Sequence, residues 1–206
     1  MKIISWNIRG CNSRLKVRIL KRRIDGEKPT ILMIQETKCF EESLRQLGAK
    51  IWKGSSSIGS DAIRAAGGMV IWWNPREVSL SNFVATVHSI YAEFHILGTR
   101  IRGCLTNIYG PFMASKKQAF LDSLGDIKDW MGTRHWVVGA DFNMIRSLEE
   151  KKGGQRTLNK SSEEFNKKIN DMDLMDLKSM NNIFTWFNKR VGDHQISLRL
   201  DRFLLS

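Results

Sequence analysis

Short, densely apolar runs alternate along this chain with amphipathic stretches and polar turns, the pattern of a mixed α/β protein. Lys2–Asn7 predicts a buried strand that ends at polar Asn7, with Gly10, Asn12 and Ser13 as turn residues. Leu15–Glu27 predicts a helix, because Leu15, Ile19, Leu20 and Ile24 share one stripe and Lys16, Arg18, Lys21, Arg22 and Arg23 lie mostly outside it. Pro29 stops that helix. Ile31–Ile34 predicts a second buried strand running into Gln35-Glu36-Thr37, and Glu41–Leu47 a short helix. The Gly- and Ser-rich stretch 53–68 reads as a surface loop. Strands are then predicted over Gly68–Trp73, Val78–His88, Tyr91–Leu97 and Ile101–Tyr109, the first ended by Asn74-Pro75.

Further along, Phe120, Leu121, Leu124, Ile127 and Met131 give Ser115–Met131 helical spacing. His135–Gly139 predicts a strand ending in Asp141 and Asn143, followed by a loop over 147–160. Ser161 and Glu164 match a capping box for a helix over Ser161–Asn170. Late strands are expected at Phe184–Phe187 and Leu198–Leu204. With no internal repeat, low-complexity tract or linker, the 206 residues read as a single domain, 1–206.

One feature recurs. Buried strands deliver polar side chains at their ends: Asn7, Glu36, Tyr109, Asp141 with Asn143, and Asp201. A single polar residue there is most often a cap or a turn. Several in one chain, all of ligand or hydrogen-bonding type, point to a site built from strand ends on a rigid scaffold.

Charge narrows the partners. Lys and Arg number 33 against 21 Asp and Glu, a formal net charge of +12, with a pI near 9.9. Such a balance favours a polyanion, nucleic acid first and an acidic membrane second, over a merely solvated basic surface. No apolar run reaches the roughly 18–20 residues of a membrane span; Met69–Trp73 is among the longest. Met1–Ile8 runs straight into polar Arg9, Gly10 and Asn12, so a signal peptide is not expected. The cysteines are Cys11, Cys39 and Cys104, without C-x-x-C spacing. Reduced thiols in a cytosolic or nuclear protein are the expectation.

Five ordered motifs carry a more specific signal: Ser5-Trp6-Asn7-Ile8-Arg9-Gly10, Gln35-Glu36-Thr37-Lys38, Asn107-Ile108-Tyr109-Gly110-Pro111, Gly139-Ala140-Asp141-Phe142-Asn143 and Arg199-Leu200-Asp201-Arg202-Phe203. Over nearly the whole chain this resembles the endonuclease/exonuclease/phosphatase superfamily. Within it, the sequence is most similar to the apurinic/apyrimidinic-type endonuclease domain of LINE (non-LTR) retrotransposons, particularly those of plants. The resemblance implies a four-layer α/β sandwich of two packed, mainly antiparallel sheets with outer helices, and a Mg²⁺-dependent phosphodiesterase site, with Mn²⁺ as a possible substitute. It also implies roles. Glu36 matches the metal-ligating glutamate and Asn7 the asparagine beside it. Asp141 matches the aspartate that activates or orients the attacking water, and Asn143 its partner on the phosphate. Tyr109 matches the tyrosine near the scissile phosphate, and Asp201 the aspartate of the late strand near a catalytic histidine. The family pattern continues from that strand to a Ser-Asp-His segment, and the sequence read here reaches Ser206 before it. The expectation is therefore a domain incomplete at its C-terminus, with the last strand missing and a sheet edge exposing apolar surface. None of His88, His95, His135 and His194 lies in such a motif, and His194 reads as a loop residue.

The chemistry supports these roles. Mg²⁺ prefers hard oxygen ligands, keeps several waters and needs only one or two carboxylates, for which Glu36 is suited. A carboxylate such as Asp141 can accept a proton from water, a contribution of about 10²–10⁴-fold. Asn7 and Asn143 can orient water or phosphate without adding negative charge. The plain alternative for Glu36 is a strand-end acid paired with Lys38.

Basic and aromatic residues divide similarly. Lys16–Arg23 reads as a solvated helix face rather than a nuclear signal or phosphate contact. Lys151, Lys152 and Arg156 follow the Asp141 strand and are candidate phosphate contacts. Of the 7 tryptophans, Trp6, Trp72, Trp73 and Trp136 are expected in the core, and Trp186 is a candidate for stacking on DNA. The leading reading is a Mg²⁺-dependent endonuclease nicking DNA, monomeric, nuclear, without membrane association and accompanied by a reverse transcriptase in a full-length element. The alternatives are a catalytically impaired remnant that retains DNA binding, or another phosphodiesterase or phosphatase of the superfamily, for instance one acting on RNA tails or inositol phosphates.

Overall fold

The structure is a computed structural model that describes residues 1–63, 66–132, 134–155, 157–180 and 183–206. In chain order its elements are β1 (Ile3–Asn7), α1 (Arg14–Glu27), β2 (Ile31–Gln35), α2 (Glu41–Ile51), β3 (Ser56–Ile63), β4 (Ala66–Trp73), β5 (Val78–Ala85), β6 (Ser89–Ile96) and β7 (Arg102–Tyr109). There follow α3 (Ala114–Met131), β8 (Trp136–Asp141), β9 (Lys151–Lys152), α4 (Lys160–Asp171), β10 (Met175–Asp176), β11 (Trp186–Phe187), β12 (Ser197–Leu198) and β13 (Asp201–Leu205). Two large sheets and four helices make the mixed α/β architecture expected from the sequence. The chain divides into two compact units, Met1–Tyr109 with His135–Ala140, and Gly110–Arg134 with Asp141–Ser206.

The first unit is built around β2. Its sheet has the order β1-β2-β4-β3, with β1 parallel to β2 and the other pairs antiparallel. Every residue of β2 is buried, because both faces are covered. Ile31 and Met33 join a core with Val78, Leu80, Ile90, Ala92, Phe94 and Leu105 from the second sheet. That sheet runs β8-β7-β6-β5 in this unit. Leu32 and Ile34 point the other way, into a core with Leu20 and Ile24 of α1, Leu44 and Ile51 of α2, and Trp72. Period-two alternation thus sends alternate residues of one strand to different layers, and each such side chain stabilises by about 1.5–3 kcal/mol on burial.

Three expectations change here. Residues 53–68 are largely β3 and the start of β4 rather than a loop. The small residues serve packing: a Cβ on Gly59 would lie 3.0 Å from the Glu41 side chain, and one on Gly68 would lie 2.5 Å from Thr37 Oγ1. The α2 helix extends past Leu47 to Ile51, since Gly48 lets it close onto the Trp72 ring. On α1 only Leu20 and Ile24 are buried; Leu15 and Ile19 are 62% and 38% exposed. The polar face behaves as predicted, with Arg18, Lys21, Arg22 and Arg23 exposed and Lys16 partly covered. Trp72, Trp73 and Trp136 are core residues, and Trp6 is half-buried against the helix-side core.

In the second unit α3 buries Phe120, Leu121, Leu124 and Met131 as its spacing predicts, while Ile127 of the same stripe is only half-buried. The start of α4 differs. Asn159 is its N-cap, its side chain accepting from Ser162 N at 2.9 Å, so Ser161 and Glu164 lie inside the helix and form no capping box. The 147–160 segment contains a 3₁₀ turn at Leu148–Glu150 and the short β9. Phe184–Phe187 is strand only over β11, and Leu198–Leu204 splits into β12, which pairs with β9 and β11, and β13, which pairs with β10. No described helix is long and apolar enough to cross a membrane.

A buried ion network ties these short segments. Arg202, with a side chain 0% exposed, meets Glu150 at 2.8 Å and Asp176 at 2.7 Å. Arg199 contacts the same two carboxylates at 2.9 and 2.6 Å. The Arg202 guanidinium also stacks over Phe165, 5.4 Å from the ring centroid. Removing one partner from such a cluster leaves an uncompensated buried charge. Glu150→Ala is therefore expected to lower the unfolding free energy by about 3–5 kcal/mol in a urea titration. A loss under about 1 kcal/mol would show that the guanidinium groups find other partners.

Candidate functional site

In the first unit, Asn7, Glu36 and Tyr109 sit at or just beyond the ends of β1, β2 and β7. Register places Asn7 opposite Gln35, one residue before Glu36. The segment after β2 is held from both sides. Ile8 N, Gly10 N and Cys11 N donate to the carbonyls of Gln35, Glu36 and Thr37, and Thr37 N and Lys38 N donate to Gly68 and Gly67. This grip keeps Glu36 at φ 52° and Lys38 at φ 57°, left-handed conformations that cost about 1–3 kcal/mol for residues with a Cβ. The Glu36 side chain is 17% exposed and its Oε1 lies 3.2 Å from Lys38 Nζ. The ion pair with Lys38 is thus present, on a carboxylate far less solvated than an ordinary surface acid. Asn7 Oδ1 accepts from Arg9 N at 3.0 Å, with Arg9 at φ 52°. Tyr109 N donates to His88 O, and His88 Nδ1 lies 3.0 Å from Tyr109 O.

Directly beneath these residues lies a polar network that sequence reasoning missed. Gln35 Nε2 donates to Ser5 Oγ at 2.8 Å and to Asn107 Oδ1 at 2.6 Å. Asn107 Nδ2 donates to the carbonyls of Ile34 and Val70, both at 3.1 Å. Ser5 precedes Asn7 by two positions, Gln35 precedes Glu36 by one, and Asn107 precedes Tyr109 by two. One hydrogen-bonded cluster therefore fixes three strand ends. The available signal was an amide inside an otherwise apolar run.

In the second unit Asp141 is 4% exposed. Its Oδ1 accepts from Asn143 N at 2.9 Å and its carbonyl accepts from Gly110 N at 2.8 Å. Asn143, at φ 51°, donates from Nδ2 to Gly110 O at 2.8 Å, and its own carbonyl accepts from Lys117 Nζ at 3.0 Å. Burial holds the Lys117 ammonium below the usual lysine range. Gly110 is required because a Cβ there would run into the Phe142 carbonyl. The Asp141–Asn143 turn repeats the Asn7–Arg9 turn: an acceptor side chain caps the amide two residues on, and that residue is left-handed.

Asp201 differs from expectation. It begins β13 instead of ending a strand, and its amide donates to Thr185 Oγ1 at 3.0 Å. Lys151 and Lys152 lie on β9, half-buried and exposed, opposite Leu198 and Ser197. Trp186 is half-buried on β11, also opposite Leu198. Arg156 lies outside the described residues. His194 belongs to an exposed 3₁₀ turn.

Glu36 supplies a hard carboxylate and Asn7 an amide oxygen, a donor set that fits a hydrated Mg²⁺ or Mn²⁺. Among the described residues no group of three His, Cys, Asp or Glu gathers as a closed metal cage would require.

The loops after β1 and β2 also carry Cys11 and Cys39, which are free. Burial, with a smaller contribution from Cys39, pushes the Cys11 thiol up to about 12, while Lys16 opposes the shift. Burial raises Cys39 as well.

The model of the Endonuclease/Exonuclease/phosphatase family matches residues 4–206. No curated protein matches the sequence. Among solved structures, the endonuclease domain of TRAS1, a telomere-specific non-LTR retrotransposon, superposes with TM-score 0.74 at 14% identity, over 100% of this chain and 84% of that one. The AP endonuclease LMAP from Leishmania major gives TM-score 0.74 at 15% identity, over 100% and 78%. A mannosyl-6-phosphatase from Bacteroides thetaiotaomicron gives 0.66 at 14%, over 100% and 85%. At these identities the likeness is one of fold.

Two predictions follow from the site's construction. Gln35→Met removes the donor shared by Ser5 and Asn107, and should cost about 1–3 kcal/mol of stability by urea unfolding; an unchanged midpoint would show the network to be dispensable. Cys11 should resist iodoacetamide in the folded chain at pH 8.5 and react once urea opens it. The sign is that of a raised thiol: its contribution to stability is complete below the ordinary thiol value near 9.0 and is lost as pH climbs toward about 12. Prompt labelling of folded Cys11 would refute this.

Proposed function

The chain belongs to the endonuclease/exonuclease/phosphatase family, and on that premise we propose that it is a divalent-metal-dependent endonuclease that nicks DNA, the nuclease domain of a LINE-type retrotransposon. The observation that carries this reading is Glu36, a carboxylate shielded from solvent and held in a strained conformation at the end of a wholly buried strand. Strain of this kind persists where the surroundings over-determine it, and it clusters at functional sites. A net charge of +12 favours a polyanionic substrate over a small sugar phosphate.

In the proposed reaction Glu36, with Asn7, would hold the metal, and the Lys38 ammonium is the cation that neighbours that carboxylate in the chain itself. Bound Mg²⁺ would offset the phosphate charge and the charge on the leaving oxygen. Asp141 accepts a proton from the attacking water, whose oxygen forms the new bond to phosphorus. The bond from phosphorus to the leaving alcohol breaks, and that alcohol takes a proton from solvent. Asn143 and Tyr109 donate to the phosphate oxygens, the charge-stabilising role that preorganised donors perform. Asp201 is assigned an orienting role. Lys151, Lys152 and Arg156 neutralise backbone phosphates, and Trp186 stacks on a base. We place the active protein in the nucleus, as a monomer acting beside a reverse transcriptase.

The mannosyl-6-phosphatase fold likeness keeps a second reading, a phosphomonoesterase of the same family. One assay separates them. Supercoiled plasmid is incubated with the chain and Mg²⁺, with EDTA as control and mannose 6-phosphate as a parallel substrate. Metal-dependent nicking is expected, falling about 10²–10⁴-fold in Asp141→Asn and to background in Glu36→Ala. Equal nicking by Glu36→Ala and the parent chain would remove the assignment. Phosphate release without nicking would favour the second reading, and DNA binding without either would mean an impaired remnant.

A further inference from the structure

Within the second unit, a polar pocket of about 390 Å³ is lined by Arg146, Ser147, Asn166, Lys178 and Arg199, together with the ion-network carboxylates. The charges around it do not balance. Among the described residues, Arg146, Arg199 and Arg202 pair with no carboxylates but Glu150 and Asp176, and Lys178 adds a further positive charge. The two carboxylates are already committed. Glu150 Oε1 accepts from Arg199 and Arg202, both at 2.9 Å. Its Oε2 accepts from Arg202 at 2.8 Å and from Arg146 N at 2.7 Å. Asp176 accepts from Arg199 at 2.6 Å and from Arg202 at 2.7 Å.

Arg146 is the cation left short of an anion. Neutral amide oxygens orient it: Nε donates to Asn166 Oδ1 at 2.9 Å and Nη2 to Asn170 Oδ1 at 3.0 Å. Its approach to Asp176 is 3.4 Å, the longest ion pair in the cluster. Lys178 is exposed and forms no ion pair among the described residues. A guanidinium fixed by neutral amides, beside a free ammonium and a serine hydroxyl, supplies charge and directed donors in one concavity. That is the chemistry of phosphate recognition.

We propose that this pocket binds a phosphate group, held by Arg146, Lys178 and Ser147, as the counter-ion that completes the network. The group is a phosphodiester of a DNA backbone or a free phosphate ion; only the first source rests on the function proposed above. Lys178 and Ser147 are the test positions, because neither contributes to the buried network.

The experiment measures thermal unfolding of the full chain during titration with inorganic phosphate, against sodium chloride at matched ionic strength. Saturable stabilisation by phosphate is expected, with the apparent Kd weakened at least about tenfold in Lys178→Glu by charge reversal, and weakened to a smaller degree in Ser147→Ala. A parallel arm measures duplex DNA binding against salt. If the group is a DNA phosphate, Lys178→Ala lowers the slope of log K against log salt by about 0.9. An unchanged slope, with phosphate stabilisation intact in the parent chain, assigns the pocket to the free ion. The proposal falls if phosphate stabilises no more than chloride, or if Lys178→Glu and the parent chain respond alike. Neither arm depends on nicking, so failure of the nuclease reading is seen separately.

Discussion

Burial of β2 on both faces is the constraint on which the first unit rests. A strand with Ile31 and Met33 in one core and Leu32 and Ile34 in another cannot slip by one residue without exchanging the two sets. That register fixes where β2 stops, and hence where Glu36 emerges. Gln35, the last residue of the strand, is itself fully buried and spends its amide on Ser5 and Asn107. The ends of β1, β2 and β7 are therefore set by one core and one small hydrogen-bonded cluster. Positions held this way are defined more sharply than loop positions.

Left-handed backbone follows several of the strands that carry candidate residues, as it also occurs at Lys28, Asn82, Asp173 and Lys189. Arg9, Glu36, Lys38 and Asn143 all have left-handed backbones without being glycine. Each is held by hydrogen bonds to the backbone or to a neighbouring acceptor, so the cost of the conformation is offset locally. At Asn7 and Asp141 the same device appears: a side-chain oxygen caps the amide two residues later. It turns the chain away from the strand end and leaves the polar group on a short, well-held turn.

The second unit solves a different problem. Its strands β9–β12 are two residues long, too short to hold together by ladder hydrogen bonds alone. Arg199 and Arg202 compensate by bridging Glu150 and Asp176 across the segments that carry them. Buried ion pairs contribute little net stability over apolar packing, but they define which groups must meet. The excess of guanidinium over carboxylate leaves the cluster positive, so a structural device also offers a place for an anion.

Much of this was readable from residue order alone. Elements such as β2, α1 and α3 lie where their patterns place them, because apolar runs and helical stripes are local properties of the sequence; β1 forms where expected, yet all of its residues are only half-buried rather than buried. The motifs likewise resemble the family whose model matches residues 4–206, and Asn7, Glu36, Tyr109, Asp141 and Asn143 fall at or just past strand ends. What tertiary structure decided is everything that depends on a neighbour distant in sequence. Gly59 and Gly68 sit in strands because α2 and Thr37 press against them, where composition alone suggests a loop. Gly48 stays helical because Trp72 needs its space. Leu15 and Ile19 share the apolar stripe of α1 yet stay exposed, because the sheet reaches only Leu20 and Ile24. Asp201 starts a strand rather than ending one, its amide held by Thr185 Oγ1 from a segment sixteen residues earlier. Sequence determines which residues can be buried or reactive; the partners that make them so are chosen only when the chain has folded.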